Sequence, residues 1–184
     1  PFRVAGHDLS VTASMGITLY PFDDRGADDL LRNADVAMYR AKESGKNNYQ
    51  FYVAEMTTIV SERLALENDL RSALERGEFS LNYQPIADCR SGNIIGMEAL
   101  LRWKHPERGM ISPGEFIPVA EESGLILALG RWVLDNACMQ LAHWAKHSLF
   151  AQLNIAVNVS SRQFHQPDFV EQVLSSLAAA GANP

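Results

Sequence analysis

The chain has 184 residues, 47% apolar and 21% charged, with 12 Gly, 8 Pro and a formal net charge of −6. Such a composition suits a soluble globular protein of one to two domains and excludes disorder, collagen and a disulfide scaffold. The acidic balance argues against duplex DNA as a partner but leaves room for a small phosphate ligand, because a bound divalent metal inverts the local field. Cys89 and Cys138 form no Cys-x-x-Cys pair and are expected as free thiols in a reducing compartment, the cytoplasm. No stretch reaches the roughly 18 apolar residues of a membrane span, and no basic-then-apolar leader opens the chain, so no membrane contact is expected from this segment. The chain opens without Met and closes directly after a helix-like run, and both ends are expected to continue into a longer polypeptide.

Residues 1–52 read as two strands, a helix and a strand. Leu9 to Tyr20 carries the β-formers Val11, Thr12, Ile17, Thr18 and Tyr20, with Gly16 as a bulge or close-contact point. Asp28 and Asp29 open a helix whose apolar stripe is Leu30, Leu31, Ala34, Ala37, Met38 and Ala41. Gly45 ends it, with Lys42 and Lys46 in the closing turn, and Tyr49 to Val53 is a short edge strand. Residues 55–76 form a longer helix striped by Ile59, Leu66, Leu70 and Ala73, which suits a connector, a dimer seam or a packed outer helix.

After Gly77 strands and helices alternate. Phe79 to Ala87 and Ile94 to Trp103 are strands joined by a connection too short for a parallel crossover, so they form an antiparallel hairpin. Ser112-Pro113-Gly114-Glu115 reads as a capping box opening a helix through about Ala120. Ile126 to Ser148 is the clearest helix, Asn154 to Ser160 a strand, and Phe169 to Ala180 a further helix. This β-α-β-α order favours a parallel sheet.

A hairpin loop centred near Ser91 sets facing residue numbers to a sum of about 182, so Gln84 faces Glu98, and Arg102 shares their sheet face. An acid among apolar neighbours, as in Ile-Ile-Gly-Met-Glu98-Ala-Leu, needs a partner or a metal. Asn158 sits likewise near the end of an apolar strand, where α/β barrels place their active sites. Glu98 and Asn158 suit hard oxygen ligation of Mg²⁺ or Mn²⁺, with Arg102 gripping a phosphate in bidentate fashion. The same residues also suit a structural salt bridge beside a strand-end Asn.

Tyr83-Gln84-Pro85-Ile86, Glu98-Ala99-Leu100-Leu101-Arg102-Trp103, Pro113-x-x-Phe116-Ile117-Pro118-x-Ala120-Glu121-x-Ser123-Gly124 and Asn158-Val159-Ser160 resemble, in order, the first half of an EAL domain. Upstream, Ser14-Met15-Gly16-Ile17 and Asn33-Ala34-Asp35-x-Ala37-Met38-Tyr39-x-Ala41-Lys42-x-x-Gly45-Lys46-Asn47-x-Tyr49 resemble the C-terminal third of a GGDEF (diguanylate cyclase) domain. The resemblance implies an α/β chain of three parts: the end of a ferredoxin-like, cyclase-palm GGDEF domain over 1–53, a connecting helix over 54–76, and the N-terminal half of an EAL domain over 77–184. The EAL domain is a modified (β/α)₈ barrel with an antiparallel first strand.

For function, the resemblance implies bacterial cyclic-di-GMP signalling, with a phosphodiesterase that uses two metal ions to hydrolyse cyclic-di-GMP to linear pGpG. It assigns Glu98 to catalysis and, with Asn158, to metal binding; Gln84, Leu100 and Arg102 to the dinucleotide; and Lys42 and Lys46 to nucleotide phosphates in the cyclase remnant. The family usually has Arg where Lys46 stands, a point charge replacing a fork; helix C-terminal charge complementarity alone also accounts for both lysines. A homodimer through the EAL domain or the connecting helix is a further implied partner. No Gly-Gly-Asp-Glu-Phe occurs, and the family's Asp-Asp pair, catalytic Lys and distal Glu motifs have no counterparts, so this piece alone is expected neither to make nor to hydrolyse cyclic-di-GMP.

The alternative is a degenerate EAL domain acting as a cyclic-di-GMP receptor or dimerisation module. Weaker signals carry less. His143 and His147 at i, i+4 read as a solvated face, and Lys104-His105-Pro106-Glu107 as a polar loop of the barrel mouth. Asn158-Val159-Ser160 fits a glycosylation sequon that nothing else supports.

Overall fold

The computed structural model describes residues 2–4, 6–24 and 26–183. Its contacts divide the chain into two units, Pro1–Ala65 and Leu66–Pro184.

In the first unit β1 (Phe2–Val4) and β2 (His7–Leu9) form an antiparallel ribbon. A βαβ unit follows: β3 (Met15–Ile17) and β4 (Tyr49–Phe51) pair in parallel, Gly16 opposite Gln50, across helix α1 (Ala27–Glu43). The long strand expected from Leu9 to Tyr20 is therefore reduced to three residues. β-propensity makes a strand only where a neighbour supplies the ladder, and β4 is itself three residues long.

Gly16 is the close-contact point. A Cβ there would overlap the Ala34 carbonyl and the Met38 amide, so the backbone of α1 lies directly on β3. That closeness selects small residues on the facing helix surface, and the buried positions are Asn33, Ala37 and Ala41. Leu31, expected in the stripe, is instead 67% exposed, while Asn33 is 5% exposed. Helix rotation explains the exchange, since Asn33 is four residues before Ala37 and Leu31 is six.

The end of α1 is a Schellman-type turn. Gly45 has φ +104°, and the Lys46 amide donates to the Ala41 carbonyl at 3.1 Å. Asn48 Nδ2 donates to the Ala41 and Lys46 carbonyls, each at 2.9 Å. Helix α2 (Glu55–Ala73) begins in this unit, where the Glu43 carboxylate accepts from Arg63 at 2.5 Å and from Arg40 at 2.8 Å.

The second unit is built on β5 (Phe79–Ala87) and β6 (Ile94–His105), an antiparallel pair with Phe79 opposite Trp103, Leu81 opposite Leu101 and Tyr83 opposite Ala99. β8 (Asn154–Val157) runs parallel to β6 on its other side, Glu98 facing Ala156. A short strand that the sequence reading missed, β7 (Gly109–Ile111), pairs antiparallel with the end of β6. The helices are α3 (Pro113–Ser123), α4 (Ile126–Trp144), the single turn α5 (Ser161–Phe164) and α6 (Phe169–Ala180). The strand expected through Ser160 stops at Val157, and the helix expected through Ser148 stops at Trp144.

One face of the hairpin carries the core. Trp103 is fully buried, tilted against Phe79 at 5.6 Å and edge-on to Phe116 at 5.5 Å, and its indole N–H donates to Glu78 Oε2 at 2.9 Å. Leu66, Leu70 and Ala73 from the last turns of α2, with Ile126 and Leu129 of α4, complete the cluster.

Two local expectations are corrected. Ser112 stands at the α3 N-terminus with Pro113 at the first helical position, but its side chain makes no cap. Glu115 accepts instead from Arg108 Nη2 at 2.8 Å, because the β6–β7 turn brings a guanidinium within reach and a charge-assisted bond outcompetes a neutral amide. His105 lies within β6 and is 5% exposed, not in a solvated loop. Its Nδ1 accepts from the Glu107 and Arg108 amides at 3.2 and 3.1 Å, which places the ring hydrogen on Nε2, 3.2 Å from Asp69 Oδ2 but out of line for a hydrogen bond.

Two substitutions test this packing. Trp103→Ala is expected to destabilise the second unit by about 3–5 kcal/mol, read from the denaturant midpoint. Gly16→Ala is expected to destabilise the first by about 1–3 kcal/mol, with the second unit's transition unmoved.

Candidate functional site

The side chains of β5 and β6 alternate between two faces. Phe79, Leu81, Tyr83, Ala99, Leu101 and Trp103 share the helix-covered side, and Tyr83 packs edge-on against Trp144 of α4 at 4.9 Å. The opposite face pairs Ser80 with Arg102, Asn82 with Leu100, and Gln84 with Glu98. Gln84 is exposed; Glu98, Leu100 and Arg102 are half-buried. A polar strip with one apolar side chain in it therefore runs along one surface of the hairpin.

Asn158 reaches the same strip from the neighbouring strand. It follows Val157 at the C-terminal end of β8, and its Nδ2 donates to Glu98 Oε1 at 2.7 Å. Arg102 donates through Nη1 to the Leu101 carbonyl at 2.9 Å. A cavity of about 350 Å³ reaches Arg102 and Asn158, but its lining is mainly apolar side chains of β6, α3 and α4, among them Leu101, Ile117, Leu129 and Val133, and includes neither Gln84 nor Glu98. The structure thus brings Gln84, Glu98, Leu100, Arg102 and Asn158 to one region of the second unit.

Lys42 and Lys46 belong to the first unit and are both exposed, Lys42 in the last turn of α1 and Lys46 just beyond it in a left-handed conformation with φ 58°. His143 and His147 have ring centroids 5.2 Å apart, yet among the described residues no group of three His, Cys, Asp or Glu side chains could hold a metal.

The donor chemistry of the strip suits a hard divalent cation as far as it goes. The Asn158–Glu98 hydrogen bond fixes both side chains while leaving Glu98 Oε2 and Asn158 Oδ1 outside that bond. Two oxygen donors are a part of the sixfold shell that Mg²⁺ demands.

Sequence reasoning passed over Ser80 and Asn82, although alternation in β5 and the register around Ser91 already put both on the Gln84 face. It also passed over the turn after Asn158. Ser160-x-x-Gln163 carries the capping-box signature and forms it in full: Ser160 Oγ accepts from the Gln163 amide at 3.2 Å, and Gln163 Oε1 accepts from the Ser160 amide at 3.2 Å.

A family profile described as "Diguanylate cyclase, GGDEF domain" matches residues 1–48, and the EAL domain profile matches residues 67–184. Over all 184 residues the chain is 45% identical to the bifunctional diguanylate cyclase/cyclic di-GMP phosphodiesterase MucR of Pseudomonas aeruginosa, of which it covers 27%. It is 41% identical over 180 residues to the cyclic di-GMP phosphodiesterase PdeR of Escherichia coli, covering 96% of this chain and 27% of that protein. The chain spans about a quarter of the length of such curated relatives.

Among solved structures, the PaMucR phosphodiesterase in complex with c-di-GMP superposes with a TM-score of 0.63 at 47% identity, over 65% of this chain and 48% of that one. The EAL domain of FimX from Pseudomonas aeruginosa, bound to c-di-GMP, gives a TM-score of 0.55 at 31% identity, over 66% and 46%. With a profile match across well over half of its residues, the chain belongs to the EAL domain family.

Proposed function

We propose that the second unit is the N-terminal half of a cyclic-di-GMP phosphodiesterase domain, which opens the cyclic dinucleotide to linear pGpG by adding one water across one phosphodiester bond. The observation that carries the reading is the 2.7 Å hydrogen bond from Asn158 Nδ2 to Glu98 Oε1, which ties the residue just after β8 to β6. That bond holds a carboxylate and an amide side by side, with Glu98 Oε2 and Asn158 Oδ1 outside it. The named relatives and the ligands in the solved neighbours favour cyclic-di-GMP over other phosphodiesters.

In this reading Glu98 and Asn158 contribute oxygens to a Mg²⁺ or Mn²⁺ site. The metal, when bound, polarises a phosphoryl oxygen and lowers the pKa of water. Arg102 offers its guanidinium fork to a phosphate of the dinucleotide, and Gln84, opposite Glu98, offers an amide that can both donate and accept. Leu100, between Glu98 and Arg102 on the strip, gives an apolar surface against which a ring can lie. The remaining protein donors of the metal shell come from outside these 184 residues. In the first unit, exposed Lys42 and Lys46 offer point charges to nucleotide phosphates.

Three measurements test the assignment. In the intact protein with Mg²⁺ or Mn²⁺, Glu98→Ala is expected to abolish hydrolysis, and tight binding without turnover by the unaltered protein would replace this reading with a receptor. Arg102→Lys is expected to weaken dinucleotide binding about tenfold, roughly 1.4 kcal/mol, measured by calorimetry. The 184-residue polypeptide on its own is expected to turn over neither GTP nor cyclic-di-GMP.

A further inference from the structure

We propose that Ser160 and Gln163 are positioning residues for Asn158, and that their reciprocal cap sets the affinity of the Glu98–Asn158 pair for a divalent cation. The inference rests on the reading of those two side chains as metal donors.

Asn158 lies one residue beyond the last residue of β8. Two residues later stands Ser160, the N-cap of α5, a single turn of four residues. A helix that short does not form on its own, because nucleation is unfavourable and no propagation follows. Other contacts must hold it.

The reciprocal cap is one. Beyond the two amide bonds, Ser160 Oγ also donates to Gln163 Oε1 at 3.0 Å. Gln163 is 6% exposed, a buried amide whose oxygen is fully engaged by Ser160. It is seated against Gly130 of α4, where any Cβ would overlap the Gln163 amide group. The adjacent Arg162 donates to the carbonyls of Glu121 and Glu122 at the C-terminal end of α3. The turn is thus clamped to two helices, and Asn158 enters it from a strand whose register against β6 is fixed. The side chain that must meet Glu98 is held at both ends of a three-residue span. Outer contacts of this kind orient a ligand and are commonly worth 10–100-fold in metal affinity.

The test uses the intact protein, without nucleotide, and follows Mn²⁺ binding directly through the electron paramagnetic resonance signal of the free ion, with melting temperature alongside. Ser160→Ala is expected to weaken Mn²⁺ binding about tenfold, and Ser160→Thr, which keeps the hydroxyl, to stay within about twofold of the unaltered protein. Should Ser160→Ala fail to fold, Gln163→Met keeps the volume, removes the acceptor and carries the same expectation. Asn158→Ala separates the two layers of the argument. If it weakens Mn²⁺ binding while Ser160→Ala and Gln163→Met lower only the melting temperature, the positioning role is overturned and the metal reading stands. If Asn158→Ala leaves Mn²⁺ affinity unchanged, the metal reading itself fails and takes the positioning role with it.

Discussion

The pairing register of β5 and β6 is the constraint on which the second unit depends. A slip of one residue would turn Phe79, Leu81 and Tyr83 away from the helices and bring Ser80, Asn82 and Gln84 under them. Both the core and the polar strip would be lost in a single step. The loop between the strands defends the register. Asp88 Oδ1 accepts from the Ser91 amide at 2.7 Å, the Ser91 hydroxyl at 2.9 Å and the Arg90 amide at 3.0 Å, and Gly92 takes φ 71°. Those bonds, the Ser91 amide foremost, hold the Asp88 carboxyl below its usual range. At the other end the buried Phe79–Trp103 pair anchors the first rung.

With the register fixed, the two faces take different work. The covered face supplies hydrophobic stabilisation, which tolerates no polar group without a partner; Trp103 meets that condition through Glu78. The open face carries Glu98 and Arg102 half-buried. Asn158 completes it through tertiary structure, sixty residues along the chain from Glu98.

The hairpin was legible because it is local: loop length forces antiparallel pairing, and pairing arithmetic then places Gln84 opposite Glu98. Helix α6 was legible for a similar reason, as an apolar run bounded by Asp168 and Gly181. What escaped depends on distant partners. His105 looks like a loop residue until β7 pairs with the end of β6 and Asp69 of α2 comes alongside. The Ser112–Glu115 signature is sound chemistry, but Arg108 claims its carboxylate. The Ser160–Gln163 signature is equally sound and does form, because Gly130 leaves space for the glutamine to bury. Leu31 and Asn33 exchanged places because an apolar letter was weighed above helical position, which sets Asn33 in line with Ala37 and Ala41.

The seating of Leu66, Leu70 and Ala73 against Phe79 and Trp103 bears on where the C-terminal unit can be cut free. Excision at Gly77, where the strand-and-helix alternation starts, would strip a layer of leucine from the aromatic cluster and leave an oily scar facing water. The same cut would take Asp69 from beside the imidazole of His105. A cleavage point upstream of Leu66 keeps the lid on the core, so the helix is better regarded as belonging to the barrel's own masonry over its last two turns than as a tether throughout.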